Sequence, residues 1–246
     1  MNFFYHLGRY TKTLYSLFSR PEKAAMYWKE LFRQMNLIGV GSVGIISIMT
    51  LFIGAVTSVQ FAYQLQGNLI PMWYIGIIVR DSLMLELAPT LSALLLAGKV
   101  GSNISSELGT MRISEQIDAM KIMGVNTTSY LIGPKVLASV LVMPLLIIFG
   151  VAFGIVGGLL VALGGTSGFT TTEFIRGLQD PIRDFDTIIM FIKSLSFAFI
   201  ITSISAYQGF HTTGGVVGVG QASTRAVVYS SIVVIIADFL IAALLL

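Results

Sequence analysis

Residues 37–62 read LIGVGSVGIISIMTLFIGAVTSVQFA, with no charged side chain anywhere in the run. As a straight helix such a segment is ~39 Å long at ~1.5 Å per residue, enough to cross a bilayer with tilt. The uncharged stretch extends further, since no Asp, Glu, Lys or Arg falls between Arg33 and Arg80. Two more stretches behave alike, from Lys135 to Glu173 and from Lys193 to Arg225. A soluble core does not require runs of this length, whereas a spanning helix needs ~20 apolar residues. Composition agrees: 55% of the 246 residues are hydrophobic and 11% are charged. Ordinary soluble domains carry roughly 25% charge.

Working outward, the pattern predicts an all-α integral membrane protein of about five transmembrane helices. The first span is Leu37 to Ala62, closed by Gln60, Gln64, Gln66, Asn68 and Pro71. The second runs from Ile78 to Gly98, although Arg80, Asp81 and Glu86 lie in its first half. The third falls within 130–163, the fourth within 187–208, and the fifth from 226 to the end. Before them, Phe3, Leu7, Tyr10, Leu14 and Leu17 share one helical face. Ser19 and Pro21 then open a second amphipathic helix carrying Trp28. Residues 1–36 are therefore expected to form interfacial helices at headgroup level, and 37–246 the transmembrane domain. The N-terminus does not read as a cleavable signal peptide, because mixed residues precede the first apolar run.

Lys and Arg placement orients the chain. Eleven of the fifteen fall in segments 9–33, 99–135 and at Arg225, whereas Arg80, Arg176 and Arg183 fall on the opposite side. The positive-inside rule then places the N-terminus in the cytoplasm and the C-terminus outside.

The absence of cysteine excludes disulfides and thiolate metal sites, and His6 and His211 are the only histidines. No GxxxxGK[ST] motif occurs, so ATP is not bound here through a Walker A loop. The glycines of GGVVGVG, 214–220, are expected to lack the strand and helix that frame a phosphate loop. Gly150, Gly154 and Gly158 form overlapping GxxxG pairs, suited to close helix packing within one chain or between two. Glu86, Lys193 and Asp238 read as intramembrane charges at similar depth, ~9–12 Å below the outer surface. They are expected to form a buried cluster with Lys193 between two carboxylates, either pinning helices or serving transport. Glu107 to Met123 reads as one amphipathic helix, with Ile113, Ile117, Met120 and Gly124 on one face. Its charges balance, which suits docking on a soluble protein better than lying on lipid. No catalytic set is evident, and nothing points to nucleic acid.

The stretch ELAPTLSALLLAGKVGSNISSELGTMRISEQIDAMKIMGV, 86–125, closely resembles the MlaE/YrbE permease family of ABC transporters. FIGAVTSVQ (52–60) resembles its first-span motif, and STRAVVYSS (223–231) with Asp238 its last. The resemblance implies a homodimer in the inner membrane of a Gram-negative envelope. It implies a cytoplasmic ABC ATPase dimer that binds the ATP and magnesium, and a periplasmic MCE-domain protein. The cargo would be phospholipid or a related lipid moving between inner and outer membranes. Carried onto this chain, Thr57, Gln60, Phe61, Gln64 and Leu65 would line the lipid pocket. Glu107, Arg112, Glu115, Gln116, Asp118 and Met120 would belong to the ATPase-coupling helix. Leu85 stands where some relatives carry Arg, so a headgroup contact at that position does not transfer. A passive channel or a structural membrane scaffold is the rival function; it has no use for a coupling helix.

Overall fold

The computed structural model describes residues 3–17, 24–65, 70–165 and 168–245, helical through nearly all of them. Gln66 and Asn68 lie outside the described residues, as do Ser19 and Pro21. Five helical runs are long and apolar enough to cross a membrane: Tyr27–Leu65, Tyr74–Ile113, Thr127–Leu163, Asp184–Phe210 and Gly215–Leu245. The expected count is therefore observed, with different ends.

Helix α1 covers Phe3–Leu17 and α2 covers Ala24–Met35. A π-helical turn, Asn36–Val40, joins α2 directly to α3, Gly41–Leu65. The second amphipathic helix is thus continuous with the first span, because nothing between Met35 and Gly41 breaks a helix. The second run is segmented into α4 (Tyr74–Ser82), α5 (Ala88–Leu96) and α6 (Ser102–Ile113). π-helical turns Leu83–Leu87 and Ala97–Gly101 link them. It continues well past the expected end at Gly98. Short α7, Gln116–Ile122, precedes α8, Thr127–Leu163. Then follow α9 (Thr171–Leu178), α10 (Asp184–Phe210) and α11 (Gly215–Leu245). α11 starts at Gly215, so most of GGVVGVG, with Gly215, Gly218 and Gly220, lies within its first turns and forms no loop between a strand and a helix.

Local chemistry explains several boundaries. Thr170 and Glu173 form a reciprocal capping box that starts α9. The backbone and hydroxyl hydrogen bonds from Thr170 hold the Glu173 carboxyl below its usual range. Asp184 and Asp186 occupy the first turn of α10, where the helix dipole favours acid. Gly124, at φ +83, ends α7: its N–H reaches the Lys121 carbonyl and that of Val125 the Met120 carbonyl. This is a Schellman ending.

The chain divides into two compact units. The first comprises Met1–Gly41, Ala93–Met143 and Leu195–Phe239; the second comprises Ser42–Ser92, Pro144–Ser194 and Leu240–Leu246. In the second unit α3 and α8 approach until backbones touch. A methyl group at Gly54 would overlap the Gly154 carbonyl, and one at Gly157 the Leu51 carbonyl. The GxxxG pattern therefore packs within the chain. Gly76 and Gly177 meet in the same way between α4 and α9. Arg80, buried in this unit, donates to the carbonyls of Asp180 (2.6 Å) and Leu178 (3.4 Å) and pairs with Asp81 at 2.9 Å. The charge that made the second span hard to read is thereby occupied at the end of α9.

The first unit is held by polar contacts. Tyr10 on α1 shares a hydrogen bond with Ser203 on α10 at 2.7 Å, and His6 with the Tyr207 hydroxyl at 2.9 Å. Tyr27 on α2 bonds Ser129 on α8. Ser106 and Ser223 join α6 to α11 at 2.7 Å. The N-terminal helices are thus hydrogen-bonded to spanning helices, while Trp28 stays exposed.

Candidate functional site

The C-terminal half of α3 presents an apolar face with polar ends. Along α3, Gly54, Thr57, Ser58, Ala62 and Leu65 are buried. Phe52, Val56, Val59 and Tyr63 are exposed, as are Gln60 and Gln64. An open groove of about 470 Å³ runs between Ala55, Val56, Val59 and Gln60 of α3 and Val161 of α8. Of the five residues expected to line a lipid pocket, Gln60 and Gln64 face outward and Phe61 is half-buried against the core. Thr57 and Leu65 point inward: the Thr57 hydroxyl donates to the Ile53 carbonyl at 2.7 Å, and Leu65 packs in the core with Ala62, Ile75 and Phe174. Small residues at 54, 58 and 62 mark the inward stripe, so the spacing itself carried this information. Val56, Val59 and Tyr63 belong to the outward face and were not singled out from sequence.

Among the expected intramembrane charges, the structure brings Glu86 and Lys193 together. The Lys193 ammonium lies 2.8 Å from the Glu86 carboxylate and donates to the Leu85 carbonyl at 2.8 Å. Lys193 has no exposed surface, whereas the Glu86 side chain is 45% exposed. Both Leu85 and Glu86 sit in the π-helical turn Leu83–Leu87. Such a turn disturbs the regular carbonyl ladder and frees acceptors for a lysine. Asp238 lies on α11 in the other unit and is half-buried.

The segment expected to couple to an ATPase is not one helix. It breaks between α6 and α7 at Ser114–Glu115, where Glu115 adopts φ +60. That left-handed conformation is unusual for a side chain with a Cβ and stores strain. Arg112 donates to Asp118 across the break at 2.6 Å, with Lys121 at 3.4 Å. The Arg112 hydrogen bond holds the Asp118 carboxyl below its ordinary range. Only Ile117 of the expected apolar face is fully buried. Met120 is half-buried, Glu115 and Gln116 are exposed, and the most exposed apolar residues are Ile122 (88%) and Met123 (72%). These two precede the helix-ending Gly124, where a continuous wheel does not apply. Lys121 also lies over the Phe210 ring, 5.4 Å from its centroid, tying α7 to α10. Beside Phe210, His211 is pushed down to about 4 by burial.

Glu107 belongs to a different arrangement. One carboxylate oxygen lies 2.5 Å from the Lys135 ammonium on α8, the other 3.4 Å from the Arg33 guanidinium on α2. Lys135 is almost wholly buried, with 3% of its side chain exposed. Both oxygens of Glu107 are therefore engaged by cations of this chain, with 31% of its side chain left exposed.

Residues 31–244 match the Permease MlaE family, nearly the whole chain. The chain belongs to the MlaE permease family. Its relatives in this family span distant organisms. The "Intermembrane phospholipid transport system permease protein MlaE" of Haemophilus influenzae is 33% identical over 246 residues, covering 100% of this chain and 94% of that protein. A "Probable ABC transporter permease protein" of Rickettsia bellii is 36% identical over 216 residues, covering 88% and 83%. "Protein TRIGALACTOSYLDIACYLGLYCEROL 1, chloroplastic" of Arabidopsis thaliana is 32% identical over 219 residues, covering 89% and 62%. An MlaE permease is a membrane protein, as the five apolar helices of this chain require.

Proposed function

We propose that this chain is the permease of an ATP-driven transporter that moves phospholipid or a related lipid between the inner and outer membranes of a Gram-negative envelope. The observation that carries this is end-to-end similarity to the Haemophilus permease, whose name states intermembrane phospholipid transport. The chain lies in the inner membrane with its N-terminus in the cytoplasm, as its Lys and Arg placement favours. It works as a homodimer with a cytoplasmic ABC ATPase dimer, which binds ATP and magnesium, and with a periplasmic MCE-domain protein.

Lipid lies along the exposed face of α3. Acyl chains follow Val56, Val59 and Tyr63, and a polar headgroup meets Gln60 and Gln64. The mixed surface suits an amphiphile, since neither pure hydrocarbon nor water matches both kinds of side chain. The ATPase docks on the tip of α7 through Ile122, Met123, Glu115 and Gln116, with Met120 beneath. Arg112 and Asp118 brace the break between α6 and α7. Nucleotide-driven closure of the ATPase presses on α7 and shifts the spans around the lipid. The Glu86–Lys193 pair pins α10 to the second span.

Purification from the native membrane in mild detergent, followed by mass spectrometry, tests this. A stoichiometric ABC ATPase, an MCE-domain protein and co-extracted phospholipid are expected. Recovery of the chain alone, under conditions that preserve other ABC complexes, contradicts it.

A further inference from the structure

Glu107 has a place in the fold that docking does not explain. It sits on α6, two turns before the break at Ser114–Glu115. Its carboxylate takes Lys135 of α8 on one oxygen and Arg33 of α2 on the other. Three helices distant in sequence thus converge on one side chain at the root of the coupling segment. The two arms differ. Lys135 is buried and close, so its contact is desolvated and strong; Arg33 is 59% exposed at 3.4 Å, so solvent screens it. Beyond Glu107 the chain passes through the strained Glu115 joint, which by itself would bend under load. A push on α7 reaches the long α8 only if α6 and α8 are locked together. Glu107–Lys135 is the ion pair between α6 and α8 that can do so. Tyr27 on Ser129 adds a second tie from α2 to α8.

We propose that Glu107 is a positioning residue for energy coupling: through Lys135 and Arg33 it makes α6, the base of α8 and α2 move as one body when the ATPase acts on α7. This rests on the ATP-driven reading above. A purely structural role predicts something different, because an apolar pair can replace a buried ion pair without loss of stability.

The test uses the full chain reconstituted with its ATPase in phospholipid vesicles. Glu107→Ala leaves Lys135 buried without its partner and is expected to lower yield. Glu107→Leu combined with Lys135→Met removes both charges and keeps the fold. With that pair, ATP hydrolysis is expected to stay near wild type while lipid moved per ATP falls at least about fivefold, an ordinary coupling factor. Unchanged lipid per ATP overturns the proposal.

A second measurement needs no change at Glu107. The chain contains no cysteine, so Lys29→Cys on α2 and Thr110→Cys on α6, both exposed, take spin labels cleanly. Their separation is expected to stay constant between nucleotide-free and ATP-bound complexes. A change of more than about 2 Å, the size of an interfacial helix shift, overturns the proposal. If the wild-type chain neither binds nor stimulates an ABC ATPase, the ATP-driven function itself fails and Glu107 has nothing to couple. That outcome is distinct from a wild type that couples and a double variant that couples equally well.

Discussion

The two units hold their helices together by different means. The second is packed through glycines, with α3 against α8 and α4 against α9 at backbone contact, and one lysine set wholly among apolar helices. The first has one such contact, Gly209 of α10 against the Ser105 backbone of α6, and relies more on hydroxyls and rings, from Tyr10–Ser203 to Ser106–Ser223, around a lysine held by Glu107. Both lysines are buried and both glutamates partly exposed, yet their surroundings differ. Lys193 also caps a carbonyl of a π-helical turn, whereas Glu107 carries a second cation, Arg33. Under the ATP-driven function proposed above, the difference would separate two tasks, close apolar packing of spans and fastening of the helices that the ATPase moves.

The largest expected effect lies at Glu86. Glu86→Ala removes the carboxylate beside buried Lys193 and should cost about 3–5 kcal/mol in a detergent-unfolding titration. Glu86→Leu with Lys193→Met should return stability close to wild type. Glu107→Ala should cost less, about 1–3 kcal/mol, because Glu107 lies on polar α6, where water can move in beside the orphaned Lys135, whereas Glu86 lies in the apolar turn Leu83–Leu87. Equal costs for the two alanine variants would erase the contrast between the units.

Next comes packing. Gly54→Ala forces α3 from α8 and should cost about 1–3 kcal/mol or more. Ser106→Ala, which removes one hydroxyl tie, should cost about 1 kcal/mol. The reverse order would place the stability of the molecule in its hydrogen bonds.

How much of this was legible beforehand differs by region. Three long uncharged runs pointed to a membrane protein directly, and five spans followed from apolar stretches that tolerate Arg80, Asp81, Glu86, Lys193 and Asp238, since length and composition need no tertiary knowledge. Span ends did not follow from those runs. α6 is polar and still helical, and α2 joins α3 without a break, because tertiary contacts such as Glu107–Lys135 carry polar helices beyond the apolar window. The Glu86–Lys193 pair was foreseeable because a buried charge must find a partner. The inward turn of Thr57 and Leu65 was present in the small-residue stripe but was outweighed by family resemblance. The break at Glu115 had no local signal, since Glu is not a residue that marks a left-handed turn.

That break supplies a smaller effect. Glu115→Gly should raise stability by roughly 1 kcal/mol by relieving positive φ, while weakening the lipid moved per ATP. Increased coupling instead would show that the bend is incidental. A separate effect, confined to acid pH, is expected at His211. Its folded-state pKa of about 4 lies below the ordinary 6.5, so in that window the unfolded chain binds the proton and the folded chain does not. Stability should therefore fall as pH drops from 6.5 toward about 4, and His211→Gln should flatten that slope. An identical slope in the variant would place the dependence on other groups.

The most direct measurement is transfer of fluorescent phospholipid from vesicles carrying the chain and its ATPase to acceptor vesicles. Transfer should require hydrolysable ATP, and Val59→Trp, which fills the groove beside Gln60, should suppress it while hydrolysis continues. Transfer at the same rate without ATP or ATPase would contradict the account and identify a passive conduit.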